Sequence, residues 1–256
     1  MASRAVSRRI TELALAVVIA APLLVLFVQA FANEWRAPAV VPTTFGTRGF
    51  DAAFAQGNAV AALLNSTAIA LLATALALVI GWPAARALGR ERARKPAVVL
   101  LVALPLLIPP FATGTGLAEW FIRLGLADTI LGVALAHLTA VLPYVVLILA
   151  LEFTEALSEL EDVARTFGAG TARRLAVVTV PTLAPSLALA SLLAFLVSWA
   201  QYGTSLAVGG GLPTLPVVLL PYVRTDAQVA AAISLLMIAP AIASLFVALR
   251  CGRRAL

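Results

Sequence analysis

From Leu13 to Phe31 the chain runs nineteen residues without a charge, and comparable apolar runs recur between short charged clusters along its length. A bilayer's hydrocarbon core takes about 20 such residues per helix, and only structures that satisfy their own backbone polar groups survive there. Composition agrees: 62% of residues are hydrophobic and 12% charged, with a mean hydropathy of +1.03. Soluble domains carry about 45–50% apolar and about 25% charged residues. The expected fold class is an all-α polytopic membrane protein of six transmembrane helices, with the lipid bilayer as its solvent.

A formal charge of +6 and a pI near 10.7 raise the question of nucleic acid. Such binding needs basic residues gathered on one folded face. Here they stand at the ends of apolar runs, as membrane anchors do, so no nucleic-acid partner is expected. The single cysteine, Cys251, excludes an internal disulfide, and with the single histidine, His137, it gives no basis for a Cys/His metal cluster.

The six spans are expected at 13–31, 59–84, 97–119, 130–151, 183–208 and 227–249. Ala30-Phe31-Ala32 resembles a signal cleavage site, but the preceding apolar run exceeds the 7–15 residues or so of a signal core, so the first helix is read as uncleaved. Pro38, Pro42, Gly46 and Gly49 mark an external loop with room for a short surface helix. Gly81-Trp82-Pro83 is expected to end the second span. Pro105 and Pro109-Pro110 interrupt the third, which must therefore face protein or a cavity. Gly209-Gly210-Gly211 opens an external loop through Asp226. The resulting division is 1–57, an N-terminal helix and external loop; 58–250, the main transmembrane domain with a loop at 152–181; and 251–256, a short tail.

Basic residues orient this arrangement. With the N-terminus inside, fourteen of the eighteen Lys and Arg are internal: Arg4, Arg8 and Arg9, five between Arg86 and Lys95, then Arg165, Arg173, Arg174, Arg250, Arg253 and Arg254. Only Arg36, Arg48, Arg123 and Arg224 are external. The positive-inside rule puts both termini and 152–181 in the cytoplasm.

That internal loop carries the strongest signal, E-D-V-A-R-T-F-G-A-G-T-A-R-R-L-A-V-V-T-V-P from Glu161 to Pro181. Leu160, Val163, Ala164 and Phe167 recur at helical spacing, so a short amphipathic helix presents them on one side, with Glu161, Asp162 and Arg165 elsewhere on its surface. Gly168 and Gly170 end this helix. Gly168 is expected to need a backbone conformation, or a close approach, that a side chain disturbs. Thr171 is the expected N-cap of a second helical turn, and Pro181 the opening of the next span.

The stretch resembles the cytoplasmic loop of type I ABC importer permeases, whose pattern is E-A-A-x3-G-x9-I-x-L-P. Asp162, Val163 and Ala164 stand at the E-A-A positions, Gly168 at the glycine, Val178 and Val180 at the aliphatic positions, and Pro181 at the proline. Asp replaces Glu and Val replaces one Ala, with Glu161 as an acidic neighbour. Leu64-Asn65-Ser66, Leu104-Pro105 with Ile108-Pro109-Pro110, and the span up to Gly209 also look like this family, so the resemblance covers roughly 58–250.

The resemblance implies a five-helix permease core and an ATPase-coupling loop that includes Glu161, Asp162, Val163, Ala164, Phe167, Gly168 and Pro181. It also implies as partners a dimer of cytoplasmic ABC ATPases, a second permease subunit and an external solute-binding protein. ATP would be bound by the ATPase partner, with no cofactor in this chain; no G-x-x-x-x-G-K-[ST] phosphate loop occurs in the sequence. The run from Ser198 to Gly211 followed by Leu215-Pro216 looks most similar to the branch importing polyamines, ferric iron, thiamine and related solutes.

Polar and aromatic groups inside a span usually face a bundle interior or a cavity, which makes Ser198, Trp199, Gln201, Tyr202 and Thr204 candidates for pathway lining, or equally for helix packing. His137 reads as a hydrogen-bonding packer, and Glu119 as an interfacial carboxylate. In an alternative reading, a proton-coupled secondary transporter, either residue would serve as relay.

Overall fold

The computed structural model describes residues 2–35, 38–55, 58–91 and 96–253. Arg36, Arg92, Arg94, Lys95 and Arg254, all used above for orientation, lie outside the described residues, as does the end of the tail.

Twelve helices and one small hairpin make up the described chain: α1 (Ala2–Ala30), β1 (Ala32–Glu34), β2 (Thr44–Phe45), α2 (Arg48–Ala55), α3 (Ala59–Glu91), α4 (Pro96–Ala103), α5 (Pro110–Arg123), α6 (Ile130–Ala150), α7 (Glu155–Thr166), α8 (Thr171–Arg174), α9 (Val180–Trp199), α10 (Gly203–Val208), α11 (Leu215–Thr225) and α12 (Ala227–Arg253). Four continuous segments are long and apolar enough to cross a bilayer: Ala59–Gly89, Ile130–Ala150, Thr171–Trp199 and Ala227–Arg250. A fifth arises if Pro96–Leu107 and Pro110–Arg123, bent by 90° at their break, count as one span, and α1 contributes a shorter apolar stretch, Ala14–Ala30. The chain is an all-α, multi-pass membrane protein.

Several boundaries differ from the sequence expectation, each for a backbone reason. The second span does not stop at Pro83 but runs on to Glu91, because a proline inside a long helix removes one hydrogen bond and leaves the rest intact. The third is broken: Ile108 and Pro109 are extended, as residues preceding a proline prefer, and α5 starts afresh at Pro110. The fifth begins at Thr171 rather than 183 and ends at Trp199 rather than 208, with α10 a separate short helix. Its first part holds a π turn, Leu175–Thr179, just ahead of Pro181, whose missing N–H the wider turn accommodates. Proline therefore does not open the span. The cap of α8 is Gly170, without a side-chain bond, and Thr171 is its first residue. The loop expected from 209 to Asp226 holds α11.

The described residues group into two units. In the first, 1–60 with 218–239, β1 and β2 pair antiparallel. Arg48 at the start of α2 is held bidentately by Asp226, at 2.8 and 2.9 Å, and donates to the Asn33 carbonyl at 2.8 Å. Gln228 completes the cluster, accepting from Arg48 and donating to the Trp35 carbonyl.

In the second unit, 61–217 with 240–256, α6 is the central helix, with eleven of its 21 residues buried. Thr129 caps it, accepting from the Gly132 N–H at 3.0 Å. One apolar core joins Ala77, Ala85 and Leu88 of α3, Val141, Val145 and Leu149 of α6, and Leu183, Ala190 and Ala194 of α9 to Phe153 and to Leu157 of α7. The helix of the signal-bearing loop is thus rooted in the same core as the spans.

Candidate functional site

α7 is twelve residues long and has two distinct apolar sides. Leu157 faces inward, buried in the core. Leu160, Val163 and Phe167 are 51%, 53% and 85% exposed, with Ala164 half-buried beside them. Their i, i+3, i+7 spacing places them along one stripe. Exposed apolar side chains are ordinary one at a time, but a contiguous stripe on a polar helix marks an interaction surface. Asp162 and Arg165 flank it, paired with each other at 2.8 Å and both exposed.

The end of α7 is built by glycine. Gly168 has φ of +79°, its N–H donates to the Arg165 carbonyl at 2.9 Å, and the Ala169 N–H donates to the Ala164 carbonyl at 3.0 Å. These are the two bonds of a Schellman motif, which uses up the last free carbonyls and turns the chain sharply. No heavy atom lies within 4 Å of where a Cβ on Gly168 would stand. Of the two expected reasons for glycine here, left-handed backbone and close approach, the structure has the first. Phe167 therefore ends the helix as a projecting side chain on a fixed turn.

Glu161 departs from its expected place on the helix surface. It is 5% exposed, on the inward side with Leu157, where it pairs with Arg86 of α3 and accepts from the Thr179 hydroxyl at 2.8 Å. A buried carboxylate needs charge and hydrogen-bond partners, and these two supply them. Arg86 was legible in the sequence only as part of a basic cluster. Pro181 lies on α9 behind the π turn, exposed but away from the α7 stripe in sequence and element.

The five candidate pathway residues fall where α9 breaks. Ser198, Trp199, Gln201 and Thr204 are buried, and Tyr202 is half-buried. His137 of α6 bridges the break, with Nδ1 2.8 Å from Ser198 Oγ and Nε2 3.0 Å from Ser205 Oγ. The Thr204 hydroxyl donates to the Pro110 carbonyl at 3.1 Å, across the other break. Gly203 permits this approach: a Cβ there would come within 2.8 Å of the Phe111 backbone. Ser198, Trp199 and Gln201, with His137, Ser205 and Thr214, surround a cavity of about 10 Å³, at the lower limit for one water. His137, Ser198, Ser205 and Thr204 thus join the two broken helices to their neighbours.

An open groove of about 580 Å³ lies elsewhere, between α3, α9 and α12, and none of the five lines it. Its walls carry Thr67, Thr74, Ser191 and Ser244 among alanines, leucines and Phe195, with no charged side chain. Each of these hydroxyls donates to a carbonyl one turn back on its own helix, which leaves oxygen lone pairs facing a mostly apolar space. Glu119, the other candidate relay, is exposed and paired with Arg123 one turn on.

Comparison with known proteins gives the following. No family model matches the chain. It is 34% identical over 194 residues to the molybdenum transport system permease protein ModB of Mycobacterium tuberculosis, covering 69% of this chain and 74% of that one. ModB of Azotobacter vinelandii is 35% identical over 168 residues, 60% of this chain and 74% of its own. The spermidine/putrescine transport system permease protein PotC of Haemophilus influenzae is 27% identical over 183 residues, 71% of each chain.

Proposed function

This chain belongs to the ABC transporter permeases, and we propose that within that family it is the non-catalytic, solute-translocating subunit of an importer. The carrying observation is α7: a short helix rooted in the membrane core by Leu157 and Glu161, ending on Gly168, with Leu160, Val163 and Phe167 turned outward. Such a stripe fits an apolar groove on a cytoplasmic ATPase, and α7 is read as the coupling helix. The partners are an ATPase dimer that binds the ATP, a second permease copy or paralogue, and an external solute-binding protein. The reading places the chain in a bacterial inner membrane with six crossings, α1 and the bent α4–α5 pair included, and with both termini inside. The groove between α3, α9 and α12 is this chain's share of an alternating-access pathway.

The solute reading shifts with the relatives. The sequence pattern suggested the polyamine, ferric iron and thiamine branch, and PotC belongs to a polyamine system. The two relatives of higher identity named above belong to molybdenum systems, which favours a small oxyanion such as molybdate. The groove carries no fixed charge and its hydroxyl hydrogens are committed to their own helices, so the solute assignment rests on the relatives and not on the groove lining. The proton-coupled alternative loses support, because both ring nitrogens of His137 are engaged by serine hydroxyls.

The test is reconstitution in vesicles. The purified chain is expected to hydrolyse no ATP, whereas the assembly with ATPase and second permease is expected to hydrolyse it faster when its solute-loaded binding protein is added. Sustained hydrolysis by the isolated chain would contradict the reading. Molybdate uptake exceeding spermidine uptake would support the oxyanion assignment, and the reverse would return the solute to the polyamine branch.

A further inference from the structure

If α7 docks on an ATPase, its displacement acts on solute only when it reaches the spans, and the residues between them form one hydrogen-bonded joint. Glu161 is the centre. One carboxylate oxygen, Oε2, takes the Arg86 guanidinium from the inner part of α3, and the other, Oε1, takes the Thr179 hydroxyl from the π turn that leads into α9. A single side chain on α7 thereby holds two spans. Around it, the Arg86 guanidinium lies 5.9 Å from the centre of the Phe153 ring, and Trp82 of α3 meets the same ring edge-on at 5.4 Å. Leu157, one turn before Glu161, anchors the same side of α7 among Ala85, Leu88 and Leu183. Of the pair, the Glu161 side chain is 6% exposed and that of Arg86 30%, so the carboxylate is the end shielded from water.

We propose that Arg86, Glu161 and Thr179 are positioning residues of the transport cycle, making α7, the inner end of α3 and the π turn before α9 move as one body. This rests on the reading of α7 as the docking helix. The physical ground is that α7 cannot slide past α3 without leaving the buried Glu161 carboxylate short of its guanidinium and hydroxyl partners, which opposes relative motion more than apolar contact does. The π turn adds a reason for the third member. Pro181 leaves the α9 ladder short of one N–H at this point, so the helix is locally weak, and the Thr179–Glu161 bond ties the weak turn to α7. A motion of α7 is then delivered to two spans together instead of being absorbed in the linkers.

The experiment measures the distance between nitroxides at Ala87→Cys on α3 and Ala156→Cys on α7, both exposed positions, with Cys251→Ser removing the only native cysteine. It uses the full complex, labelled in one copy, by pulsed electron resonance with and without ATP. In the complex with Arg86 and Glu161 intact, one narrow distance is expected, unchanged by ATP. In Glu161→Gln, and in Thr179→Val as a second near-isosteric variant, the distance is expected to broaden or shift on ATP addition while the ATPase stays bound. A distance that changes with ATP in the unaltered complex would overturn the proposal, as would one that stays fixed in both variants. A merely structural contact would lower the yield of complex without making the distance respond to ATP. The docking reading fails on a different assay, if the unaltered permease does not retain its ATPase on purification.

Discussion

Ser205 accepts a hydrogen bond from His137 Nε2 at 3.0 Å while donating its own hydroxyl hydrogen to the Gln201 carbonyl at 2.7 Å. Because that hydroxyl hydrogen is already committed, Nε2 must carry the imidazole hydrogen, and Nδ1 accepts from Ser198 at 2.8 Å. The neutral ring thus clamps the end of α9 to α10 across the break at 200–202.

Removing the clamp should be measurable as stability. Hydrogen bonds between membrane helices are worth about 0.6 kcal/mol on average and up to about 1.7. His137→Leu, which loses two, is expected to lower the free energy of unfolding in detergent by about 1–3 kcal/mol. Ser205→Ala loses one of these two inter-helix bonds together with the local bond from its hydroxyl to the Gln201 carbonyl, and should cost about 1–2 kcal/mol. An unchanged denaturation midpoint for His137→Leu would contradict the clamp.

At Gly168 the constraint is the sign of φ, since the space beside it is open. A side chain in the left-handed region costs about 1–2 kcal/mol, less for asparagine. Gly168→Ala is expected to weaken ATPase binding by roughly tenfold, the equivalent of about 1.4 kcal/mol, and Gly168→Asn by clearly less. Titration of detergent-purified permease with its ATPase would show the order; equal losses for Ala and Asn would argue for contact with the partner rather than backbone.

The Arg48–Asp226 pair gives a pH signature. Hydrogen bonding to Arg48 is the main reason the Asp226 carboxyl sits below its ordinary value of 3.8, against an opposing effect of burial. A depressed carboxyl contributes stability that is fully present above the unfolded value and is lost as pH falls through the folded one. The Tm difference between the native chain and Asp226→Asn should therefore be constant from neutral pH down to about 5 and shrink below the ordinary carboxylate range. A difference that grows on acidification would be the wrong sign.

Much of this was legible in the sequence because lipid leaves few options. Apolar runs gave the α6 span almost to the residue, and glycine chemistry gave the end of α7. Several of the boundary differences trace to proline, which in a sequence marks a boundary more strongly than it does in a long helix. Pro83 and Pro181 sit inside continuous helices, where one lost N–H is tolerated, while Pro109-Pro110 breaks the chain because two extended residues in succession precede α5. Glu161 was misplaced for another reason. Periodicity sorts residues by hydropathy, and on that basis a carboxylate belongs outside; only the partners Arg86 and Thr179, distant in sequence, make burial favourable.

Topology is testable by reporter fusions. Fusions after Gly89 and Gly170 are expected to report the cytoplasm, and fusions after Gly46 and Gly210 the outside. A cytoplasmic signal at Gly210 would sink the six-crossing reading and with it the placement of α7.

The docking role of α7 is tested most directly by Phe167→Asp, since Phe167 is 85% exposed and its replacement disturbs little within the chain. In cells carrying the complete transport system, the mutant permease should reach the membrane at near-normal level, fail to co-purify its ATPase, and lose solute uptake. Normal insertion together with undiminished co-purification and uptake would contradict α7 as the coupling helix.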